Sequence, residues 1–149
     1  MTRVRVAVAR NTKSVAAPDR RAPMQNQPNQ TVLAVVSDLF FSAKINEAAK
    51  HAGVKLEYVT TEKDLLHKAQ SNPALIIFDL NFDAAQPLNL IGKLKADAEL
   101  KHIRLLGYLS HVQTDLKRKA EAAGCDMVMA RSAFSMDLPD ILKRHAGVI

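Results

Sequence analysis

Residues 74–79 read Ala-Leu-Ile-Ile-Phe-Asp, five apolar residues that run straight into a carboxylate. A short, unbroken apolar run suits a strand covered on both faces, as in parallel sheets flanked by crossover helices. Upstream, residues 31–36 (TVLAVV) have the same character, and downstream 103–109 (IRLLGYL) and 125–130 (CDMVMA) read as a fourth and a fifth strand. Residues 54–59 (VKLEYV) alternate apolar with polar, as a strand nearer a sheet edge does. Between these runs the period changes. Ile45, Ala48, Ala49 and Ala52 fall at i, i+3, i+4 and i+7, predicting a helix over 42–52 with Ser42 as N-cap and Gly53 just past its end. Leu65, Leu66 and Ala69 mark a second over 61–70, with Thr61 and Asp64 spaced as a capping box and Asn72-Pro73 as its stop. Pro87 opens a third, lined by Leu90, Ile91 and Leu94. A fourth over 114–123 is closed by Gly124, and a last one runs through Leu138, Ile141 and Leu142 to His145. Five alternating strand-helix units predict an α/β chain: an open, doubly wound parallel sheet with right-handed crossovers.

The composition agrees with one ordinary globular domain: 149 residues, 48% hydrophobic, 24% charged. No run approaches the roughly 20 apolar residues of a membrane span, and residues 1–10 lack the apolar block of a secretory signal, so a cytoplasmic protein with no membrane insertion is expected. One cysteine, Cys125, excludes an internal disulfide and carries no zinc spacing. The net charge is +6, but Arg3, Arg5, Arg10, Lys13, Arg20 and Arg21 stand against Asp19 alone, so residues 1–30 carry five of those six charges. With three prolines and no aromatic residue, 1–30 reads as a flexible basic arm and 31–149 as the folded domain. Nucleic-acid contact is expected only through that arm, which could equally be a solvated tail or an organelle leader.

A doubly wound sheet gathers its chemistry at the carboxyl ends of the strands, near the point where strand order reverses. The residues there are Ser37 and Asp38 after strand one, Asp79 after strand three, Ser110 after strand four and Arg131 after strand five. Two carboxylates, a hydroxyl and a cation converge on one edge. Asp38 has a second reading as the cap of a helix starting near Leu39. Arg131 has a second reading as a standing ion-pair partner of Asp79.

With this array, residues 31–146 resemble the receiver domain of two-component response regulators, a flavodoxin-like fold with strand order 2-1-3-4-5. The resemblance implies that Asp79 is a phosphoacceptor, that Asp38 and Asp79 bind Mg2+, and that Ser110 and Arg131 bind the transferred phosphoryl oxygens. It implies a signalling switch rather than an enzyme, fed by a histidine kinase or phosphotransfer protein. Output would pass to a downstream protein partner by contact, with no output domain after residue 149, on a face around residues 114–144.

The departures from that family are specific. Ser37 stands where a first acid is usual, which weakens the metal site. Arg131 replaces a lysine, a planar fork for a compact ammonium. Ser132 follows it where a cis proline is usual, predicting a trans bond. Asn81-Phe82-Asp83-Ala84 replaces a Met-Pro loop, His111 follows the strand-four hydroxyl, and Val128 holds the place of an aromatic switch residue. These changes support an alternative, a phosphorylation-independent pseudo-receiver used as a constitutive protein-binding module. A nucleotide- or flavin-binding domain is disfavoured, since no Gly-rich loop follows strand one. Of the remaining residues, one of Phe40 and Phe41 is expected in the core, Tyr108 in core or rim, Cys125 buried and inert, and His51, His67, His102 and His145 solvated.

Overall fold

The computed structural model describes residues 30–110 and 113–146. The expected arm, apart from Gln30, and His111 lie outside them. The elements are β1 (Thr31–Val35), α1 (Leu39–Ala52), β2 (Lys55–Tyr58), α2 (Glu62–Ala69), β3 (Leu75–Asp79), a 3-10 turn (Asp83–Ala85), α3 (Pro87–Ala96), β4 (Leu105–Leu109), α4 (Thr114–Ala123), β5 (Met127–Ala130) and α5 (Arg131–Ala146). All strand pairs are parallel, in the order β2-β1-β3-β4-β5. The predicted doubly wound, five-stranded sheet is therefore observed.

Alternation along the strands divides the core in two. Val32, Ala34, Leu75, Ile77, Leu106 and Tyr108 pack under α1 and α5, against Phe41, Ile45, Phe134 and Leu138. Leu33, Val35, Ile76, Phe78, Leu105 and Leu109 pack under α2, α3 and α4. β3 and β4 are buried along their whole length and β1 from Val32 onward, which is why their sequences show no polar alternation.

Several boundaries differ from the sequence reading for identifiable reasons. Helix α1 begins at Leu39, not after Ser42: the Asp38 carboxylate accepts from the Phe40 and Phe41 N–H groups at 2.8 and 3.3 Å, and the Ser42 N–H already donates to the Asp38 carbonyl. A carboxylate there satisfies two orphan donors and suits the helix dipole. Val54 and Cys125 fall outside their strands because each N–H closes the preceding helix, donating to Ala49 and Ala120 around left-handed Gly53 and Gly124. Thr61 caps α2 as expected, its hydroxyl accepting from the Asp64 N–H. Asp79 belongs to β3 itself, and α5 starts at Arg131 without a loop. The described residues contain no cis peptide, as expected for Arg131–Ser132. Phe41 is core and Phe40 exposed, and Cys125 is buried with its thiol pushed up to about 11 by burial. His145 corrects the expectation of solvation: its Nε2 is buried without a partner, and burial lowers its pKa.

Gly107 on β4 marks the tightest packing beside the end of β3. A Cβ there would meet the Leu80 side chain, including its Cγ, at 2.9 Å. Gly107→Ala is expected to destabilise the protein by about 1–3 kcal/mol through overpacking. Urea unfolding checks this, and an unchanged midpoint would contradict it.

Candidate functional site

The carboxyl ends of β1, β3, β4 and β5 form one edge, and the sheet register sets which side chains meet there. Asp79 follows Leu75 and Ile77 at the strand period of two, so it emerges on the face covered by α1 and α5. Its residue partner across the β3–β4 ladder is Tyr108. Asp38 reaches the same edge from the N-terminus of α1, and Arg131 from the first turn of α5.

Asp79 is 4% exposed and is the only buried charged residue among those described. Its Oδ1 accepts from the Asn81 N–H at 2.9 Å. Burial pushes its carboxyl above the usual carboxylate range; the Asn81 N–H and the Arg131 charge pull it back, while Asp38 and Asp83 push it further up. The two candidate carboxylates therefore feel each other and the candidate cation. Arg131 and Asp79 do not form the standing ion pair that the sequence left open. The guanidinium instead lies over the rings of Phe41 and Tyr108, 5.1 and 5.9 Å from their centroids, and its Nε is buried without a partner. Phe41, Tyr108 and Phe134 form an aromatic floor, with Tyr108 stacked on Phe134 at 4.7 Å.

Ser110 sits at the rim, further from Asp79 in the bonding network than expected. Its N–H donates to the Asn81 Oδ1 at 2.8 Å, and its hydroxyl donates to the Gln113 Oε1 at 3.4 Å. The Asn81 Nδ2 donates to the same Gln113 oxygen at 3.1 Å. Asn81 thus ties Asp79 to Ser110 and Gln113, joining the loops after β3 and β4. The sequence reading treated Asn81 only as part of an unusual loop and missed Gln113. For Tyr108 it placed the ring correctly and missed the hydroxyl. The signal was present, since Tyr108 follows Leu106 at the strand period of two on β4, on the face where Asp79 follows Leu75 and Ile77 on β3.

Among the described residues no three His, Cys, Asp or Glu side chains gather as a metal cluster. Asp38 and Asp79 are two carboxylates at one edge, the sparse donor set that Mg2+ accepts when it keeps several waters and takes substrate oxygens. The two carboxylates therefore fit that ion with most of its octahedral shell left to water, and Ser37, beside Asp38, supplies no further carboxylate. No described helix is long and apolar enough to cross a membrane.

No protein-family model matches the sequence, and no curated protein matches it. Solved structures do match. A response regulator from Hahella chejuensis is 21% identical, with a TM-score of 0.67 over 75% of this chain and 91% of that one. The chemotaxis response regulator CheY4 of Vibrio cholerae is 19% identical, with a TM-score of 0.66 over 79% and 98%. The receiver domain of a sensor histidine kinase from Pseudomonas aeruginosa, solved with a magnesium ion coordinated in its active-site cleft, is 15% identical, with a TM-score of 0.67 over 80% and 99%. Sheet order, crossovers and these neighbours agree: the chain has the fold of the response regulator receiver domains.

Proposed function

We infer that the chain is a receiver domain in phosphorelay signalling, with Asp79 as phosphoacceptor. One observation carries this reading: among the described residues the single buried carboxylate stands at the end of the central strand, within reach of the charges of Asp38 and Arg131. Buried charge is costly, so a structure that keeps one beside a half-buried cation favours a use for it. A carboxylate oxygen of Asp79 would attack phosphorus in a phosphodonor, a histidine kinase, a phosphotransfer protein or a small acyl phosphate. The new O–P bond forms as the bond to the leaving group breaks, and the leaving group departs with the electron pair. Arg131 and Ser110 would bind the transferred oxygens, Ser110 by turning from Gln113. Asp38 and Asp79 would hold a divalent cation, which when bound neutralises the gathered negative charge.

Output by protein contact is supported by a groove of about 260 Å³ between β5 and α4, lined by Leu109, Thr114, Lys117, Val128 and Met129. A second reading, the phosphorylation-independent binding module, is favoured by the 4% exposure of Asp79 and by the Arg131 guanidinium held over Phe41 and Tyr108.

The two readings separate by experiment. Incubation with a small phosphodonor and Mg2+ is expected to add one phosphoryl group, seen by intact mass, and Asp79→Asn is expected to abolish it. That variant keeps the oxygen that accepts from Asn81 and removes a desolvated charge, so it should melt no lower than wild type at neutral pH. A folded wild type with no adduct would leave the binding module standing. Ser37→Asp is expected to tighten Mg2+ on the order of tenfold by adding a carboxylate ligand. The shift of melting temperature with Mg2+ concentration reads this out, and an unaltered dependence would place the ion elsewhere.

A further inference from the structure

Three features stand outside the roles already assigned. The Lys95 ammonium bonds the Lys101 and Ile103 carbonyls and the Asp126 carboxylate, whose same oxygen accepts from the Leu105 N–H; this anchors the start of β4 and leaves nothing to bind. The exposed Leu39, Phe40 and Met136 carry no indication of what would cover them. The third feature is the hydroxyl of Tyr108.

Tyr108 is 0% exposed, and its Oη has no hydrogen-bond partner. A phenol is rarely buried with its hydroxyl idle, because the lost water is not replaced. A phenylalanine at this position would fill the same space without that loss, and the packing of the ring already exploits the apolar surface, between Phe41 at 5.0 Å and Phe134 at 4.7 Å. The hydroxyl is therefore the feature that packing leaves unexplained. Its position is informative: Tyr108 pairs with Asp79 across the ladder, and its ring lies under the Arg131 guanidinium. The Arg131 Nε is another buried donor without a partner, and it belongs to the guanidinium that lies over the Tyr108 ring. Two unpartnered donors beside one carboxylate are an arrangement that wants additional anionic oxygens. The charges felt by the phenol agree, since after burial the strongest influence on it is Asp79, followed by Arg131 and Asp38.

We propose that the Tyr108 hydroxyl and the Arg131 Nε are donors of an anion pocket over Asp79, and that Tyr108 directly hydrogen-bonds an oxygen of the group carried there. The inference rests on the receiver reading and adds to it a substrate-touching residue. It also accounts for the arginine, whose guanidinium lies over the rings of Phe41 and Tyr108 and brings a directional Nε donor with it. The ligand class is a tetrahedral oxyanion or its mimic, a phosphoryl group or beryllofluoride.

The test is Tyr108→Phe in the full chain, which removes one oxygen and keeps the ring. Without ligand the variant should melt at or above the wild-type temperature, because an unpartnered hydroxyl is removed. With Mg2+ and beryllofluoride, followed by melting temperature, it should bind about tenfold or more weakly than wild type, the effect of losing a hydrogen bond to a charged group. Its acyl phosphate, followed by intact mass, should decay faster. If wild type binds beryllofluoride and takes the adduct while Tyr108→Phe equals it in both, the role of the hydroxyl is overturned and the receiver reading stands. If the variant melts well below wild type without ligand, the hydroxyl is already satisfied in the resting protein and the proposal fails. If wild type neither binds beryllofluoride nor takes the adduct, both the reading and this inference fail.

Discussion

A carboxylate at the end of the most apolar strand is the constraint around which the rest of the site is arranged. Asp79 is ordered by the same ladder that buries Leu75, Ile76, Ile77 and Phe78, so it inherits their burial. Water is largely excluded from it, and the charged form is penalised. Nearby groups offset that penalty in part: the Asn81 N–H by hydrogen bond and Arg131 by charge. Neither closes on it as a full ion pair, which leaves a charge that is partly compensated and donors that are partly unsatisfied.

Asn81 lies two residues from Asp79 in sequence, whereas the fold brings Asp38, Tyr108 and Arg131 to it from distant parts of the chain. Sheet order reverses at β1, which brings the cap of α1 beside the end of β3, and the parallel register aligns Tyr108 with Asp79. Asp38 serves two ends at once. As the cap of α1 it holds two backbone N–H groups, and as a charge it acts on Asp79. Asn81 makes a comparable link on the other side, since one side chain joins the loops after β3 and β4. In the proposed function, a new group on Asp79 would be felt by Ser110 through that link before any helix moved.

Much of this was legible in the sequence. The strand-helix alternation, the ends of the strands and the residues Asp38, Asp79, Ser110 and Arg131 could be read because buried parallel strands and capped helices leave strong local patterns. What could not be read depends on three-dimensional competition. Asp38 and Ser42 both qualify as caps, and only the path of the chain out of β1 decides for the former. Arg131 reads in the sequence as a phosphoryl-binding cation or an Asp79 ion-pair partner, and its place over the rings of Phe41 and Tyr108 depends on packing between α1, β4 and α5. The Ser110–Asn81–Gln113 network joins residues about thirty positions apart through uncharged side chains, which leave no periodic signature.

The most direct test of the account is a crystal structure of the full chain with Mg2+ and beryllofluoride. The account predicts density bonded to an Asp79 carboxylate oxygen, with Ser110, Arg131 and Tyr108 all within hydrogen-bond reach of the fluorides. A bare Asp79, with Ser110 still on Gln113 at saturating ligand, would contradict it.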